Sequence, residues 1–122
     1  MMTQLVPNTA IAAGTLHLEP SDVSEDQTVS GRPQTRSTVL GSIGGVEVGV
    51  WEMTAGSMCD IESEEIFIVL SGSAVVEFDD SSKPLHLAAG DVARLKAGTE
   101  TVWTVSEPLR KVYLTSQATT AS

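Results

Sequence analysis

The chain has 122 residues, of which 41% are hydrophobic and 19% are charged, a composition typical of one globular domain. Seven basic residues stand against sixteen acidic ones, so the formal net charge is −9 and neither nucleic acid nor an anionic membrane is an expected partner. The single cysteine, Cys59, excludes an internal disulfide and is typical of a reducing compartment.

The first residues do not have the pattern of a secretion signal. No basic residue precedes their apolar stretch, and Pro7 and Asn8 interrupt it. No apolar run elsewhere approaches the length that spans a membrane. We therefore expect a cytoplasmic protein.

Residues 1–36 are predicted to form an N-terminal arm rather than a domain. Residues 15–18 alternate in polarity until Pro20, an acidic polar stretch covers 22–27, and residues 30–33 have the composition of a turn. His17 lies in this arm, and we expect its side chain to be exposed rather than to bind a metal. The arm is expected to pack on the domain or on a partner subunit.

From residue 37 onward, short apolar segments alternate with turn-forming residues. Many short strands without a convincing helix predict an all-β sandwich or small barrel. Residues 37–115 form the predicted domain, and 116–122 are predicted to be a frayed tail. The predicted strands are 38–40, 46–53, 66–70, 74–78, 85–87, 92–95, 101–105 and 111–115, with a hairpin loop at 79–84.

The apolar run 66–70 is the clearest predicted strand. Its β-branched and aromatic residues and the Ser71-Gly72 pair after it are typical of a buried strand that ends in a turn. Glu64 and Glu65 directly precede it, so carboxylates are expected at its start. This is the place in the sequence that most strongly indicates chemistry.

Two spaced motifs resemble those of the cupin superfamily. The sequence GDVARLKAGTET (90–101) resembles the second cupin motif, with Lys96 and Thr101 where that motif has a proline and a histidine. Glu65, six intervening residues and Gly72 resemble the end of the first motif. The segments GVWEMTAG, AGD, KAGTETVW and RKVY are similar to those of small single-domain cupins grouped with (S)-ureidoglycine aminohydrolase.

The resemblance implies a single jelly-roll barrel, usually dimeric, whose inward side chains line one pocket. Metal-binding relatives hold a divalent ion with histidines, a glutamate and sometimes a glutamine. The aminohydrolase releases ammonia from a ureido amine at such a site.

The first motif can be aligned in two registers. Counting forward from Gly56 puts Glu62 and Glu64 where the paired histidines usually stand. Counting back from Gly72 puts Cys59, Ile61 and Glu65 at the ligand positions. We favour the second count because strand alternation then directs one set of side chains to one face. That set is Cys59, Ile61, Glu65, Phe67 and Val69.

Few residues at these positions can bind a metal. Ile61 has no donor atom, and the hydroxyl of Thr101 is a weak ligand, so Glu65 is left alone. Zinc or iron needs three or four ligands, and we expect no tightly bound metal cofactor. A weak site built from Cys59, Glu62, Glu64 and Glu65 remains an alternative.

A pocket around Glu65 follows from the resemblance. Lys111 is the expected partner of this carboxylate, which would act as a general acid or base, bind an amine, or form a purely structural ion pair. Trp51 is expected in the core or an interface, Asp60, Glu62 and Glu64 in a solvated acidic rim, and His86 on the outside. The predicted pocket residues are Cys59, Glu65, Phe67, Thr101, Trp103, Lys111 and Tyr113.

We predict a cupin that binds a small amine-like or ureido-like ligand without a full metal-ligand set. The alternatives are a metal-dependent aminohydrolase-like enzyme and a non-catalytic dimeric structural or regulatory module. A homodimer is expected because Ile66, Ile68 and Leu70 face away from the barrel interior and are apolar. The N-terminal arm of a neighbouring chain would cover them.

Overall fold

A computed structural model describes residues 4–116, which form nine β-strands. No helix in this part of the chain is long and apolar enough to cross a membrane. The strands are β1 Pro20–Asp22, β2 Thr28–Ser30, β3 Gln34–Ile43, β4 Val46–Met53, β5 Gly56–Ile61, β6 Glu65–Phe78, β7 Leu85–Ala88, β8 Val92–Leu95 and β9 Glu100–Ser116.

The two longest strands, β6 and β9, connect the two halves of a curled antiparallel sheet. The C-terminal half of β9 pairs with β4 and with the first half of β6, giving the order β1-β3-β4-β9-β6-β8, the long half. The N-terminal half of β9 pairs with β5 and with the second half of β6, giving β2-β5-β9-β6-β7, the short half. The all-β jelly-roll prediction is confirmed.

The predicted strand ends at Ser71-Gly72 are wrong, because β6 continues through this point with a shifted register. Gly72 has a φ of +86°, and a Cβ there would lie 2.0 Å from the carbonyl oxygen of Pro108 on β9. The two strands therefore bend against each other at a β-bulge. For the same reason, the separate strands predicted at 101–105 and 111–115 are parts of one strand, β9.

Part of the segment after Gly56, for which the sequence predicts no strand, is also strand. β5 occupies Gly56–Ile61, and only residues 62–64 connect it to β6. This short connection determines which side chains enter the barrel, as described below.

Apolar side chains from both halves fill most of the space between them. Phe67 and Trp103 are the largest buried side chains, and their ring centroids are 5.7 Å apart. The hydrophobic effect of burying these residues is the main stabilising contribution to the fold. The buried cluster is Met53, Met58, Phe67, Val69, Ala74, Val76, Leu87, Leu95, Trp103, Val105 and Leu109.

The N-terminal arm packs on the outside of its own barrel. Leu18 is buried against Leu40 and Val50 of the long half. The Arg110 Nη1 atom donates to the carbonyl oxygens of Ala13 and Leu16, at 2.8 and 2.7 Å. Strands β1 and β2 extend the sheet beside β3 and β5, respectively. His17 is exposed, as expected.

The outer face of β6 is partly uncovered, as the sequence predicts. Ile66 is 40% exposed and Val92 of the neighbouring β8 is 66% exposed. The arm covers a different part of the outer surface, over β3 and β4. The homodimer stays a prediction. The predicted tail lies outside the described residues except for Ser116, which belongs to β9.

Candidate ligand-binding site

A cavity of about 330 Å³ opens at one end of the barrel, where the interior changes from apolar to polar. Four carboxyl groups and one ammonium group line it, together with two tryptophans and a tyrosine. Its lining is Ser37, Glu47, Trp51, Met58, Asp60, Ile61, Glu62, Ser63, Glu65, Trp103, Lys111, Tyr113 and Thr115.

The register of the long half explains which of its residues reach the cavity. Thr115 of β9 pairs with both Glu47 of β4 and Glu65 of β6, so these three lie in one row across the sheet. Alternate residues of a strand face the same side. On β9, the residues two and four positions before Thr115 therefore face the cavity as well. These residues are Tyr113 and Lys111.

The Lys111 ammonium occupies the centre of the polar region. Its Nζ atom lies 2.7 Å from Glu65 Oε1, so the ion pair expected from the sequence forms. The same atom is 4.2 Å from the ring centroid of Phe67, 4.7 Å from that of Trp51 and 4.8 Å from that of Trp103. A carboxylate and three aromatic faces thus replace the hydration that this buried cation loses.

Burial raises the pKa of the Glu65 carboxyl group, and the charge and hydrogen bond of Lys111 oppose that rise. The carboxylates of Glu62 and Asp60 add to it by repulsion. Glu65 therefore binds a proton more readily in this fold than in water.

Glu62 is a second buried carboxylate, with only 7% of its surface exposed. Its Oε2 atom accepts hydrogen bonds from Thr101 Oγ1 at 2.6 Å and from Trp103 Nε1 at 2.9 Å. Both donors are neutral groups of β9. These two hydrogen bonds replace those that water would donate to the carboxylate if it were exposed.

The turn between β8 and β9 holds Glu62 in this position. The Glu62 amide donates to the Thr99 carbonyl oxygen at 2.9 Å, and the Gly98 amide donates to the Glu62 carbonyl oxygen at 2.8 Å. Gly98 has a φ of +86°, a conformation that favours glycine. The KAGT segment of the second motif therefore binds the connection at residues 62–64, which lies within the first motif.

Asp60 lies at the opening of the cavity. Its Oδ1 atom accepts from the Ile61 amide at 2.9 Å and from Gln27 Nε2 at 3.4 Å. Burial raises the pKa of Asp60, and the nearby Glu62 carboxylate raises it further. A cation that entered the cavity would relieve both unfavourable effects.

Tyr113 and Glu47 form another polar part of the wall. Tyr113 Oη donates to Glu47 Oε2 at 3.0 Å, and burial, followed by this hydrogen bond, raises the pKa of the phenol. Gly49 is the cross-strand partner of Tyr113, and a Cβ at Gly49 would lie 2.3 Å from Tyr113 Oη. The missing side chain at position 49 therefore makes space for the tyrosine.

The placement of Cys59 beside Glu65 is wrong. Its neighbour Met58 belongs to the buried core, so Cys59 points to the outer side of the short half, and Ile61 is 69% exposed. The count back from Gly72 assumes that side chains alternate through residues 62–64, as they would in a strand. The chain turns there, and the inward positions of β5 are Met58 and Asp60 instead.

The acidic rim is also wrong for Glu62, which is buried inside the barrel, while Asp60 is half-buried. Only Glu64 lies on the surface, where its Oε2 atom accepts from Arg94 Nη2 at 3.0 Å and Oε1 accepts from the Ala97 amide. Glu62 is one of the two residues that the alternative motif count placed at histidine positions. His86 is exposed, as predicted.

The structure brings five of the seven predicted pocket residues to the cavity or its floor. Glu65, Trp103, Lys111 and Tyr113 line it, and Phe67 lies beneath the Lys111 ammonium. Thr101 does not line the cavity, but its hydroxyl donates to Glu62, which does. Cys59 does not reach it. The part that each of these residues takes in binding or catalysis stays a prediction.

The sequence does not identify several of the lining residues, among them Glu47, Trp51 and Met58. It predicts Trp51 in the core or an interface and gives no pocket role to Glu47 or Met58. Glu47, Gly49 and Trp51 alternate along β4, opposite the inward residues of β9. A pairing of these two strands would have revealed them, but the sequence does not show which strands pair.

The residues at this site do not suit a divalent metal ion. The Lys111 ammonium lies against Glu65, the glutamate at a cupin ligand position, and would repel a cation there. Within residues 4–116, no group of three or more histidine, cysteine, aspartate or glutamate side chains is arranged to hold a metal.

Comparison with protein families assigns the chain. The EutQ-like cupin domain matches residues 40–113, which are more than half of the chain and include both motifs. The chain belongs to this cupin family. A comparison with curated proteins gave no match. The narrower assignment to the ureidoglycine aminohydrolase type is not confirmed.

Solved structures have the same fold. A protein of unknown function of the DUF861 family from Pseudomonas syringae pv. tomato is 25% identical, with a TM-score of 0.70. The match covers 82% of this cupin chain but only 44% of that protein, so the chain spans less than half of its relative's length.

Two EutQ proteins are also similar in fold. That of Clostridium difficile is 16% identical with a TM-score of 0.66, over 88% of this chain and 85% of its own. A putative ethanolamine utilization protein Q of Salmonella typhimurium is 18% identical with a TM-score of 0.61, over 84% and 98%. At these identities the likeness extends to the fold alone.

Proposed function

We propose that this cupin binds a small amine in the cavity around Glu65 and Lys111, without a tightly bound metal ion. The observation that carries the proposal is the charge of the lining: four carboxyl groups accompany one ammonium group. Lys111 pairs with Glu65. The other three acids, Glu47, Asp60 and Glu62, have no cationic partner among residues 4–116.

The unpaired acids favour a ligand that carries positive charge and hydrogen-bond donors. Asp60 lies at the opening with a raised pKa, because burial and Glu62 both disfavour its charged form. An ammonium group placed beside it would favour the ionised form, and binding would release the proton held there. The affinity for an amine should therefore increase with pH as Asp60 loses its proton.

The size and walls of the cavity suit a compact ligand. Its volume of about 330 Å³ is at the lower end of the usual range for small-molecule sites, which begins at about 300 Å³. Trp51 and Trp103 supply apolar surface, and Tyr113 and Thr115 supply hydroxyl groups. A ureido compound would also find acceptors for its N–H groups, so we retain it beside simple amines.

The name of one structural relative supports the choice of test compounds. The Salmonella protein is described as a putative ethanolamine utilization protein, and ethanolamine is a small amino alcohol of the kind that this cavity suits. We therefore place ethanolamine in the panel with methylamine, putrescine and a ureido acid.

The prediction that Glu65 is a catalytic residue is retained as a secondary proposal. Its support is the raised pKa and the contact with Lys111, which together provide a proton donor and acceptor 2.7 Å apart inside a cavity. Binding without catalysis is the simpler proposal, because the same pair also stabilises the fold.

Isothermal titration calorimetry with this panel tests the proposal. We expect saturable binding of at least one amine, with an affinity that increases as the pH is raised above 3.8, the ordinary pKa of Asp60. The Asp60→Asn variant, which keeps the shape of the side chain, should weaken binding by about tenfold, as expected for the loss of roughly 1.4 kcal/mol. Glu107→Gln removes an exposed carboxylate of β9 outside the cavity and is the matched control. Absence of binding by every amine and ureide would contradict the proposal.

A further inference from the structure

A second and larger concavity, of about 580 Å³, lies on the outer face of the short half. We call it the outer groove. It is separate from the interior cavity, although Asp60 and Ile61 lie in the wall between them. Its lining residues are Gln27, Cys59, Asp60, Ile61, Glu77, Phe78, Asp79, Glu100, Thr101 and Val102.

Strand register brings an apolar floor together in this groove. Val102 of β9 pairs with Cys59 of β5 on one side and with Glu77 of β6 on the other. Ile61, two residues beyond Cys59, is 69% exposed. Ile61 lies diagonally across from Val102 on this face, and Phe78, which packs partly against the core, adds the rest of its surface to the same groove. Together they leave an apolar strip in contact with water.

Acidic side chains stand beside this strip. Glu77, Asp79 and Glu100 are all exposed, and none of them takes part in an ion pair within residues 4–116. The Asp79 amide donates to the Glu100 carbonyl oxygen at 3.3 Å, so Asp79, which directly follows β6, lies next to the first residue of β9. Like charges held this close repel each other, and an opposite charge placed between them would relieve the repulsion.

The lining of the groove contains no basic residue. A molecule that neutralised these acids would therefore have to supply the basic groups itself. A second copy of the chain is a poor source, because each copy has a net charge of −9. Nucleic acid is excluded by the same repulsion.

We propose that the outer groove binds a basic, amphipathic polypeptide segment of a partner protein. Apolar side chains of that segment would cover Ile61, Phe78 and Val102, while lysine or arginine side chains on its other face would reach Glu77, Asp79 and Glu100. Complementary charge would speed the encounter and select against acidic partners. This surface is distinct from the amine site and does not depend on it.

Cys59 reports occupancy of the groove, because it is the only cysteine of the chain and lines the floor. The rate of its alkylation by iodoacetamide is followed by intact mass, with and without a short acetylated, amidated peptide of alternating lysine and valine. Two control peptides alternate glutamate with valine and lysine with serine. We expect only the lysine–valine peptide to slow alkylation, and the protection to decrease as salt is added.

Charge reversal identifies the contact surface. The double variant Glu77→Lys/Glu100→Lys should bind the lysine–valine peptide roughly fivefold to tenfold more weakly, a loss of about 1.0–1.4 kcal/mol, because two exposed ion pairs are removed. Glu107→Lys makes the same kind of change on β9 outside the groove and should leave binding unchanged. Each rate is compared with that of the same variant without peptide. If the charge-reversed variant does not fold, the milder double variant Glu77→Gln/Glu100→Gln replaces it in the same binding measurement.

Three results would overturn the proposal. One is equal protection by the lysine–serine or glutamate–valine peptide, and another is equal binding by the charge-reversed double variant. The third is protection of Cys59 that increases with the concentration of the protein alone, which would assign the groove to a second copy of this chain.

Discussion

The interior cavity and the outer groove are both acidic, but the carboxylates of the cavity are buried with partners, whereas those of the groove are exposed without them. In the cavity, Glu65 is paired with Lys111, and Glu62 accepts hydrogen bonds from Thr101 and Trp103. In the groove, Glu77 and Glu100 are exposed and form no ion pair with the described residues. Burial accounts for the difference, because an unpaired charge is tolerated only where water solvates it.

The two sites should respond differently to mutation. Removing Glu65 or Glu62 from the cavity leaves its buried partners without compensation, whereas removing Glu77 or Glu100 from the groove leaves only water behind. Effects on stability should therefore be concentrated in the cavity, and effects on association in the groove.

The largest expected effect comes from separating the Glu65–Lys111 pair. Glu65→Gln and Lys111→Met should each lower the free energy of unfolding by about 3–5 kcal/mol, because each leaves the other charge buried. The double variant should cost less than the sum of the two. Urea denaturation of the four proteins gives the coupling energy.

The neighbouring pair of Glu64 and Arg94 is the control for that cycle. Their side chains are 32% and 67% exposed, so Glu64→Gln should have a much smaller effect than Glu65→Gln although the residues adjoin in sequence. Additive effects in the Glu65–Lys111 cycle would show that the pair does not act as a unit.

A smaller effect is expected from Gly49→Ala. The added Cβ would lie 2.3 Å from Tyr113 Oη and 2.4 Å from Tyr113 Cζ, so the ring must move from the cavity wall at a cost of about 1–3 kcal/mol. Thermal unfolding measures the loss, and Tyr113→Ser in the same chain should recover part of it. Gly14→Ala is the control, because a Cβ at Gly14 would meet no atom within 4 Å. Equal losses in both alanine variants would contradict the steric explanation.

The smallest effect concerns the dependence of stability on pH. Burial, and then Glu62, raises the pKa of Asp60 in the folded protein. The folded state therefore keeps a proton that the unfolded state has lost, and stability falls as pH increases from the ordinary value of 3.8 to the folded pKa. Asp60→Asn removes this loss, so its stability relative to the wild type should increase over that interval.

Urea denaturation at a series of pH values provides the measurement. Asp79→Asn removes one acid from the outer groove instead of the cavity and controls for the change in net charge. If both variants gained equally over the same interval, the effect would come from overall charge rather than from burial of Asp60.

The strand pattern was largely available from the sequence, since apolar and polar residues alternate wherever one face of a strand is buried. The β-bulges in the pairing of β6 and β9 could not be predicted from the sequence. A glycine such as Gly72 is typical of a strand end. Only its close approach to Pro108 shows that β6 bends there and continues. A turn residue has the same appearance in sequence whether the chain reverses there or bends against a neighbouring strand.

The candidate site, too, was predictable from the sequence only in part. Alternation within one strand places Glu65 with Phe67 and Lys111 with Tyr113. The resemblance to cupins brings these two strands to one pocket, where a buried carboxylate favours a cation, so the ion pair was predicted from the sequence through that resemblance. Side-chain direction cannot be carried across residues 62–64, because the period of two holds only while the chain is extended. Only the tertiary structure decided that Cys59 faces outward and Glu62 inward, since hydrogen bonds from the turn at 98–99 orient that connection.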